Sequence, residues 1–480
     1  MPSQITKQPF LAALRCPTEG WRRLREEEES QTPALEWKFW VGGEVQRRAQ
    51  EQLGNGRGLI RAPVDLAVQD TSAALTGSHP LLFEATFMAG PYTARADALR
   101  RTDAGWELIE VKSGKAPDDG EKLKPGYLDD LAYTAFVAQQ SGLVVDRFIL
   151  MLINRDYRLE GTAPLMTEVD VSDEIRPRLE LLANVGPEIS ESLLAEAEPR
   201  PELKFVCRSC PYFEKDCVGF GIPDPLFFIP RLQQKRFDSL KQFVRISAIP
   251  LSEKLTAIQQ RVTRVIRSGQ AEADHAGLAP LRTLAWPVFY LDFEGVNPAL
   301  PWFPDAAPYQ SMPFQYSLHR IDGPGQPAIH SSYLAASTGD WRYNLCAQLL
   351  DDLGDRGSIV VYSNYEKTAL NYLARMLPEQ APRIAAVIDR LFDLETMIKN
   401  GYCHPGFRGR SSIKNILPVM VQGPGYADMA IQGGESASAI FALMRVGKYD
   451  GTATSLYRQQ LLDYCALDTL AMVKVHDALL

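Results

Sequence analysis

Two carboxylates and a lysine lie close together in the stretch DALRRTDAGWELIEVKSGK, which begins at Asp97. The TDAG segment is a turn signal between two runs that can be extended, so the stretch predicts a β-hairpin. With Asp103 and Ala104 in the turn, Asp97 faces Glu110. Because side chains alternate along a strand, Glu110 and Lys112 project from the same face. The sequence therefore predicts one small site that holds two carboxylates and an ammonium group.

These side-chain types suit the hydrolysis of a phosphodiester. Mg²⁺ prefers carboxylate oxygens and keeps several waters, so Asp97 and Glu110 would form an open metal site. A metal there lowers the pKa of bound water and neutralises charge on the scissile phosphate. Lys112 would hold the attacking water, or help to deprotonate it if burial or the metal lowers the lysine pKa.

A second acidic pattern lies nearer the end of the chain. Asp292 and Glu294 alternate along the strand-like run FYLDFEG and therefore share one face. Tyr464 and Asp468, in the helical segment YCALD, are one helical turn apart and also share a face. Between these two segments, Glu366 follows VVYSN at the point where a strand turns into a helix. The pattern again suits divalent cations.

Cysteines form a third candidate site. Seven cysteines in a chain that lacks an export signal argue against a disulfide framework. Cys207, Cys210 and Cys217 are clustered, and Cys16 lies alone near the start. The cluster is compatible with a zinc ion, an iron–sulfur cluster or free thiols. Zinc and [4Fe-4S] both accept four thiolates, so the identity of the fourth ligand decides between these interpretations.

The composition, with 45% hydrophobic and 23% charged residues, is that of an ordinary globular protein. The start MPSQITKQPF lacks the basic end and apolar core of a signal peptide, so we expect a cytoplasmic protein with no membrane partner. The net charge of -8 argues mildly against a protein that coats nucleic acid. Residues 231–267 are nevertheless rich in lysine and arginine, which suits either a solvated helical surface or a track for phosphates.

The elements that must position these residues follow from the periodicity of apolar side chains. FLAALRCPTEGWRRLREEE and residues 172–206 have helical spacing, whereas LLFEATFMAG, YTARADALRR and WELIEVKSG are strand-like. After Trp286, strands alternate with helices and a helix ends the chain, an order that indicates an α/β fold. A chain of 480 residues is expected to form more than one domain. We expect domains at 1–222 and 284–480, joined by a helical basic connector at 223–283.

The first acidic pattern resembles a known nuclease family. LLFEATFMAGPYTARADAL and ELIEVKSG, followed by the helix YLDDLAYTAFVAQQSG, resemble the RecB-like branch of the PD-(D/E)XK superfamily. The resemblance implies a restriction-endonuclease-like fold, metal binding by Asp97 and Glu110, and Lys112 as the catalytic lysine. Gln46 stands where many relatives carry a metal-binding histidine, and the region of Tyr133 has no clean match to the Gln-x-x-x-Tyr motif of the family.

The cysteines carry a related resemblance. The Cys-Pro of RCPTEGW is similar to the first cluster cysteine of iron–sulfur nucleases, in which one early cysteine joins three late ones. This implies a structural [4Fe-4S] cluster on Cys16, Cys207, Cys210 and Cys217, with Zn²⁺ as the alternative. Such a cluster would close a long loop of the first domain.

The second acidic pattern resembles the DEDDy exonucleases of the RNase H-like fold. The resemblance implies a mixed sheet, metal binding by four carboxylates and a tyrosine, Tyr464, that orients the attacking water. The four carboxylates would be those of Asp292, Glu294, Glu366 and Asp468. Glu366 stands where the family usually has aspartate, which shifts the metal geometry.

A longer pattern comprises YLDFEGVNPALPWF, PYQSMPFQYSLH and LFDLETMIKNGYCHPGFRGRSSIKNILP. It resembles an uncharacterised bacterial family in which a DEDDy-like domain follows a RecB-like iron–sulfur nuclease domain, and the likeness covers nearly the whole chain. Asp393 and Lys414 belong to its pattern, either as residues of the site or as residues of a capped or solvated helix. The resemblance implies a nuclease that hydrolyses DNA with Mg²⁺ or Mn²⁺ at two sites. Two alternatives remain open, namely an exonuclease directed at RNA, and a single active nuclease domain whose RNase H-like domain only binds nucleic acid.

Overall fold

The structure is a computed structural model that describes residues 4–26, 32–61, 63–118, 120–423 and 425–480. It is a mixed α/β protein, which confirms the predicted fold class at that level. The chain divides into two compact units. The first comprises Met1–Gln31, Lys38–Phe220 and Pro298–Gln310, and the second comprises Thr32–Trp37, Gly221–Asn297 and Ser311–Leu480.

Helices occur in both units. Within the described ranges, none of them combines the length and the apolar character needed to cross a bilayer. In chain order they are α1 (Lys7–Arg15), α2 (Pro17–Arg23), α3 (Pro33–Leu53), α4 (Val64–Leu75), α5 (Pro125–Gln140), α6 (Ser172–Leu194), α7 (Phe213–Asp216), α8 (Gln234–Leu240), α9 (Ala257–Ser268), α10 (His275–Leu278), α11 (Arg342–Leu353), α12 (Tyr365–Met376), α13 (Ala381–Ile388), α14 (Leu394–Gly401), α15 (Ile413–Met420), α16 (Gly434–Arg445) and α17 (Gly451–Leu479).

The strands form a sheet in each unit. The sheet of the first unit has its strands in sequence order: β1 (Arg57–Gly58), β2 (Leu81–Ala89), β3 (Tyr92–Arg101), β4 (Trp106–Lys115), β5 (Val145–Ile153) and β6 (Met166–Asp170). In the second unit, β7 (Glu272–Ala273) pairs with β13 (Tyr402–Cys403). The main sheet there has the order β10-β9-β8-β11-β12, formed by β8 (Val288–Val296), β9 (Met312–Ile321), β10 (Ile329–Leu334), β11 (Ser358–Val361) and β12 (Leu391–Asp393).

The predicted hairpin is confirmed as β3 and β4. Ala98 pairs with Ile109 in the antiparallel ladder, which is the register that places Asp97 opposite Glu110. The Thr102 hydroxyl accepts the backbone N–H groups of Ala104 and Gly105 and so closes the turn. The turn chemistry therefore sets the register, because a two-residue turn leaves one pairing that aligns both strands.

Two helical predictions are wrong at prolines. The first helical stretch is interrupted at Cys16, whose extended φ of -151° separates α1 from α2, because a residue that precedes proline is driven out of the helical region. The helix predicted for residues 172–206 ends at Leu194, ahead of Pro199 and Pro201. The break at Cys16 leaves the thiol at a corner between two helices.

Aromatic side chains hold α1 against the core of the first unit. The Phe10 ring lies 5.0 Å from the ring of Tyr133 on α5, between ring centroids. The Tyr133 hydroxyl donates to the Ile5 carbonyl at 2.6 Å, and Phe10 is fully buried. This packing positions both ends of α1, where Lys7 and Cys16 lie.

The sheet of the second unit is mixed. β8 pairs antiparallel with β9 and parallel with β11, so β8 lies inside the sheet. α17 packs against β8 and β9. The strand that carries Asp292 and Glu294 is therefore covered by the helix that carries Tyr464 and Asp468.

A polar network connects β9 with α17 and β10, and its members other than His330 are buried. His319 Nδ1 lies 2.8 Å from the Thr469 hydroxyl, and the Ser317 hydroxyl lies 2.9 Å from His330 Nε2. The two imidazole rings are 4.7 Å apart between centroids. Burial, and then the charge of His330, lower the pKa of His319 to about 4.

This network predicts acid sensitivity. In the unfolded chain His319 takes up a proton below about pH 6.5, whereas in the fold it does so only near pH 4, so unfolding is favoured as the pH falls through that window. We expect His319→Gln to reduce the loss of stability between pH 7.5 and pH 5 by about 2 kcal/mol. The measurement is urea unfolding of wild type and variant at both pH values. The exposed His275→Gln is the control, and an equal acid sensitivity of all three proteins would contradict the prediction.

Candidate functional site

The first acidic site begins where the β3–β4 ladder opens. The Asp97 carboxylate accepts a hydrogen bond from the backbone N–H of Val111 at 2.7 Å. A side chain therefore replaces a backbone carbonyl as the acceptor for this strand residue. The same carboxylate accepts the Gln46 side-chain amide at 3.2 Å. Two hydrogen bonds, from Val111 and Gln46, therefore fix the Asp97 carboxylate.

Glu110 is 3% exposed and has two cations on one oxygen. Its Oε1 accepts the ammonium groups of Lys7 at 2.6 Å and Lys112 at 3.0 Å. Its Oε2 is buried and has no hydrogen-bond partner among the described residues. Because a buried polar atom without a partner is costly, this oxygen suits a ligand such as a divalent cation.

The two carboxylates differ in charge. Burial, and then the charge of Glu110, raise the pKa of Asp97 to about 7. Burial also acts to raise the pKa of Glu110, but Lys7 and Lys112 outweigh it and hold that pKa below its ordinary value. Without a metal, the pair therefore carries one negative charge near neutral pH and a second only as Asp97 ionises.

Lys112 is a charged group in this arrangement. Its ammonium donates to Asp130 as well as to Glu110. Burial alone would lower the pKa of Lys112, but these two carboxylates outweigh it and raise the pKa. Without a metal, Lys112 is therefore a cation held between two carboxylates.

Sequence reasoning missed several residues of this site. Glu84 on β2 is buried, has a positive φ of 65°, and accepts hydrogen bonds from Gln46 and Arg61. A single glutamate in the apolar run LLFEATF was a signal that could have found it. Lys7 and Asp130 had no such signal, because they reach the site from α1 and α5 through the tertiary fold.

The second acidic site brings together three predicted residues. Ligand oxygens of Asp292, Glu294 and Asp468 lie within 4.8 Å of one another. In the part of the chain that the structure describes, no other set of three side chains meets this condition. The alternation along β8 places the first two on one face, and α17 supplies the third. This spacing suits a divalent cation bound by carboxylates.

Burial raises the pKa values of all three carboxyls, and neighbouring like charges add to the rise at Asp292 and Glu294. Burial, followed by the neighbouring carboxylates, raises the pKa of Asp292 well above its ordinary value. Burial and the charge of Asp468 raise the pKa of Glu294 to about 8, and burial raises that of Asp468 to about 6. The three groups therefore resist simultaneous ionisation, and a bound cation would relieve that repulsion.

Glu366 lies beside this group but outside the set of three. It is 1% exposed at the start of α12, where the Ser363 hydroxyl donates to it at 3.3 Å. Burial raises the pKa of Glu366 to about 7. Its charge acts on both Asp292 and Glu294, which places it in the same electrostatic neighbourhood.

Two tyrosines and a lysine complete the second site. The Lys414 ammonium donates to the Tyr464 hydroxyl at 2.7 Å, and Tyr464 also hydrogen-bonds Asp468. Tyr426, which sequence reasoning missed, donates to Asp468 at 2.5 Å. Asp393 instead caps α14, where it accepts the backbone N–H of Thr396 at 3.0 Å. Lys414 therefore contacts a tyrosine of the site, and Asp393 caps α14 while its charge adds to the raised pKa of Glu366.

The four predicted cysteines lie in one neighbourhood, and all are free thiols. Burial, opposed by the N–H of Lys204, raises the pKa of Cys207 to about 11, and the thiols of Cys16, Cys210 and Cys217 add to that rise. The Lys204 N–H lies 3.4 Å from the Cys207 sulfur, a contact that favours a thiolate.

Four thiols in one neighbourhood are a donor set that either a zinc ion or a [4Fe-4S] cluster accepts, so both cofactors fit these residues.

Comparison with known proteins covers only part of these sites. Residues 289–412 match a family model described as a domain of unknown function (DUF2779). The match includes Asp292, Glu294 and Glu366 but ends before Tyr464 and Asp468. Among curated proteins, none matches the chain.

The second acidic site predicts a Mn²⁺ site that depends on its carboxylates. We expect Asp292→Asn combined with Asp468→Asn to weaken Mn²⁺ binding at this centre by more than about tenfold, measured by titration calorimetry. In EDTA the same variant should melt above wild type, since it removes carboxylates that repel one another. Asp463→Asn, on the exposed face of α17, is the matched control. Unchanged Mn²⁺ binding in the double variant would overturn the assignment.

The cysteine site predicts an iron-dependent fold in the first unit. We expect Cys217→Ser to lose iron, brown colour and much of the soluble yield from anaerobic purification, because one ligand of the cluster is removed. Cys403→Ser, which alters a cysteine of the second unit, should keep all three. Colourless wild-type protein with one equivalent of zinc would support the alternative metal.

Proposed function

We propose that this chain is a metal-dependent nuclease that hydrolyses DNA phosphodiester bonds at two separate centres. The observation that carries the proposal is that buried carboxylates converge at each centre beside a lysine, with a tyrosine also present at the second. A phosphodiester substrate explains this combination, because carboxylates hold divalent cations while the lysines face the negative phosphate.

At the first centre, Asp97 and the unpartnered Oε2 of Glu110 would hold Mg²⁺ or Mn²⁺. When bound, the cation supplies Lewis acidity and lowers the pKa of water. Lys112 keeps its charge and would attract the phosphate into the site, and Lys7 would add a second positive charge. The hydrogen bonds to Asp97 from Val111 and Gln46 would keep that carboxylate in place.

At the second centre, Asp292, Glu294 and Asp468 would hold a cation, with Glu366 next to them. Burial and the charge of Asp468 raise the pKa of Tyr464, so its side chain remains a neutral hydroxyl. Lys414 donates to that hydroxyl and leaves its proton directed to an acceptor such as Asp468. Tyr464 would thereby be oriented to position a water beside the substrate.

The folds implied by the resemblance agree with what surrounds each centre. The β3–β4 hairpin followed by α5 supports a PD-(D/E)XK domain, and the mixed sheet covered by α17 supports an RNase H-like domain. We further propose that Cys16, Cys207, Cys210 and Cys217 hold a structural [4Fe-4S] cluster. Its role would be to tie α1 to the segment that follows α6.

A second candidate function is favoured by Glu366. Its carboxylate stands outside the set of three ligands, which is consistent with a second unit that binds nucleic acid without cutting it. RNA is the alternative substrate, because RNA and DNA share the phosphodiester on which these carboxylates would act. The candidates differ in which variants abolish cleavage.

The two centres predict separable activities. We expect Asp97→Ala and Lys112→Met each to reduce endonuclease or end-resecting activity on labelled DNA with Mn²⁺ by at least about a hundredfold, as loss of electrostatic stabilisation does in other hydrolases. Both variants should retain the metal of the cysteine site. Asp103→Asn, in the turn of the same hairpin, is the control.

A panel of single- and double-stranded DNA and RNA substrates tests the activity of the second centre. Stepwise removal of nucleotides should disappear in Asp292→Asn and persist in Asp97→Ala. Loss of all cleavage in Asp97→Ala alone would favour the binding-module candidate. Cleavage at the wild-type rate in Asp97→Ala and Lys112→Met would exclude the first centre as a nuclease.

A further inference from the structure

A cavity of about 270 Å³ lies in the first unit, just past Lys112 on β4. Its walls come from the end of β4, the loop that leads to α5, and the segment 298–310 that belongs to this unit. The residues that matter here are Gly114, Lys115, Lys122, Lys124, Tyr127 and Tyr309.

Local backbone geometry forms this cavity. The pairing of β4 with β5 shifts between Lys112 and Lys115, so the strand bulges directly after the catalytic lysine. A Cβ atom on Gly114 would lie 2.1 Å from the Tyr127 hydroxyl, so glycine lets that ring approach the strand. A bulge next to an acidic centre is a common way to redirect a strand toward a ligand.

Tyr309 is held in place from the other side. Its φ is 58°, an unusual value for a bulky residue, and its hydroxyl donates to the Ser113 carbonyl at 2.5 Å. The backbone N–H of Tyr309 donates to the Pro298 carbonyl at 2.8 Å, which closes the segment into a loop. A constrained aromatic ring is thereby fixed at the wall of the cavity.

The cavity carries excess positive charge. Arg155, which also lines it, is paired with Asp118 and Glu121. The three lysines of the wall are exposed, and none of them forms an ion pair with a described residue. Lys124 contacts the Tyr127 ring, with 5.5 Å between the ammonium and the ring centroid. The cavity therefore combines ammonium groups with aromatic faces.

We propose that this cavity binds a nucleotide of a single-stranded nucleic acid, adjacent to the first centre. Bases of single strands stack on aromatic side chains, and lysines neutralise the phosphates that connect them. At the rise of a β-strand, Lys115 is about 10 Å along β4 from Lys112, a distance that a few nucleotides span. The inference rests on the proposed function, since it assigns the cavity to the substrate of that centre.

The test measures binding in EDTA, where no cleavage is needed. The probe is fluorescein-labelled oligothymidine of about 15 nucleotides, followed by anisotropy with the full chain at several salt concentrations. Lys122→Gln combined with Lys124→Gln should weaken binding at least about tenfold and reduce the salt slope by about 1.4. The control is Lys38→Gln combined with Lys448→Gln, which changes the net charge equally at two exposed sites outside the cavity.

The tyrosine is tested separately from the charge. Tyr309→Leu should weaken oligothymidine binding by about tenfold through loss of stacking, whereas Tyr309→Phe should keep the ring and most of the affinity. A labelled duplex of the same length should be much less affected by either change. Equal effects on duplex and single strand would overturn the assignment to single strands.

The outcomes separate this inference from the proposed function. If the lysine double variant binds oligothymidine like wild type, or loses no more affinity than its control, the cavity is not a nucleotide site even if the protein cuts DNA. If wild type binds in this lysine-dependent way but cuts no nucleic acid with Mn²⁺, the nuclease proposal fails and the binding site stands. If the lysine double variant loses binding of inorganic phosphate but still binds oligothymidine like wild type, the inference is refuted as well.

Discussion

Buried carboxylates that lie next to one another are the constraint on which both sites depend. An ionised carboxylate away from water is costly unless a cation or several donors compensate it. In the first unit, Lys7 and Lys112 compensate Glu110, and a pKa raised to about 7 reduces the charge of Asp97 near neutral pH. In the second unit, burial raises the pKa values of Asp292, Glu294 and Asp468, and the charge of Asp468 adds to the rise at the other two. The lysines of the protein therefore neutralise charge at the first site. At the second site, a bound metal cation would do more to stabilise the ionised carboxylates.

One short helix connects this constraint to the cysteine site. α1 begins at Lys7, whose ammonium contacts Glu110, and ends next to Cys16. The buried Phe10 ring fixes the helix between these two ends. Any change that frees Cys16 would therefore also loosen the contact at Glu110. The geometry of the cysteine site and the electrostatics of the carboxylate site therefore both depend on how α1 packs against the core.

Lys414 lies far from Tyr464 in sequence but contacts it in the second site. Its ammonium donates to the Tyr464 hydroxyl and lies 5.3 Å from the ring centroid of Tyr426. Those two tyrosines in turn hydrogen-bond Asp468. A single cation thus organises two aromatic rings around one carboxylate. The basic residues of 231–267 are used differently, since Arg236 and Arg264 pair with Glu253 and Glu272.

Local chemistry in the sequence determined the elements and the residues that share a face. The TDAG turn determined the register of β3 and β4, and the period of the helix placed Tyr464 and Asp468 together, because both depend on residues a few positions apart. Pro17 drives Cys16 out of the helical region, an effect that apolar periodicity alone does not reveal. Only the tertiary structure decided that Lys7, Glu84 and Asp130 reach the first site, that Tyr426 reaches Asp468, and that Lys112 keeps a raised pKa. These outcomes depend on contacts between distant segments and on burial, and neither is encoded in the spacing of any one stretch.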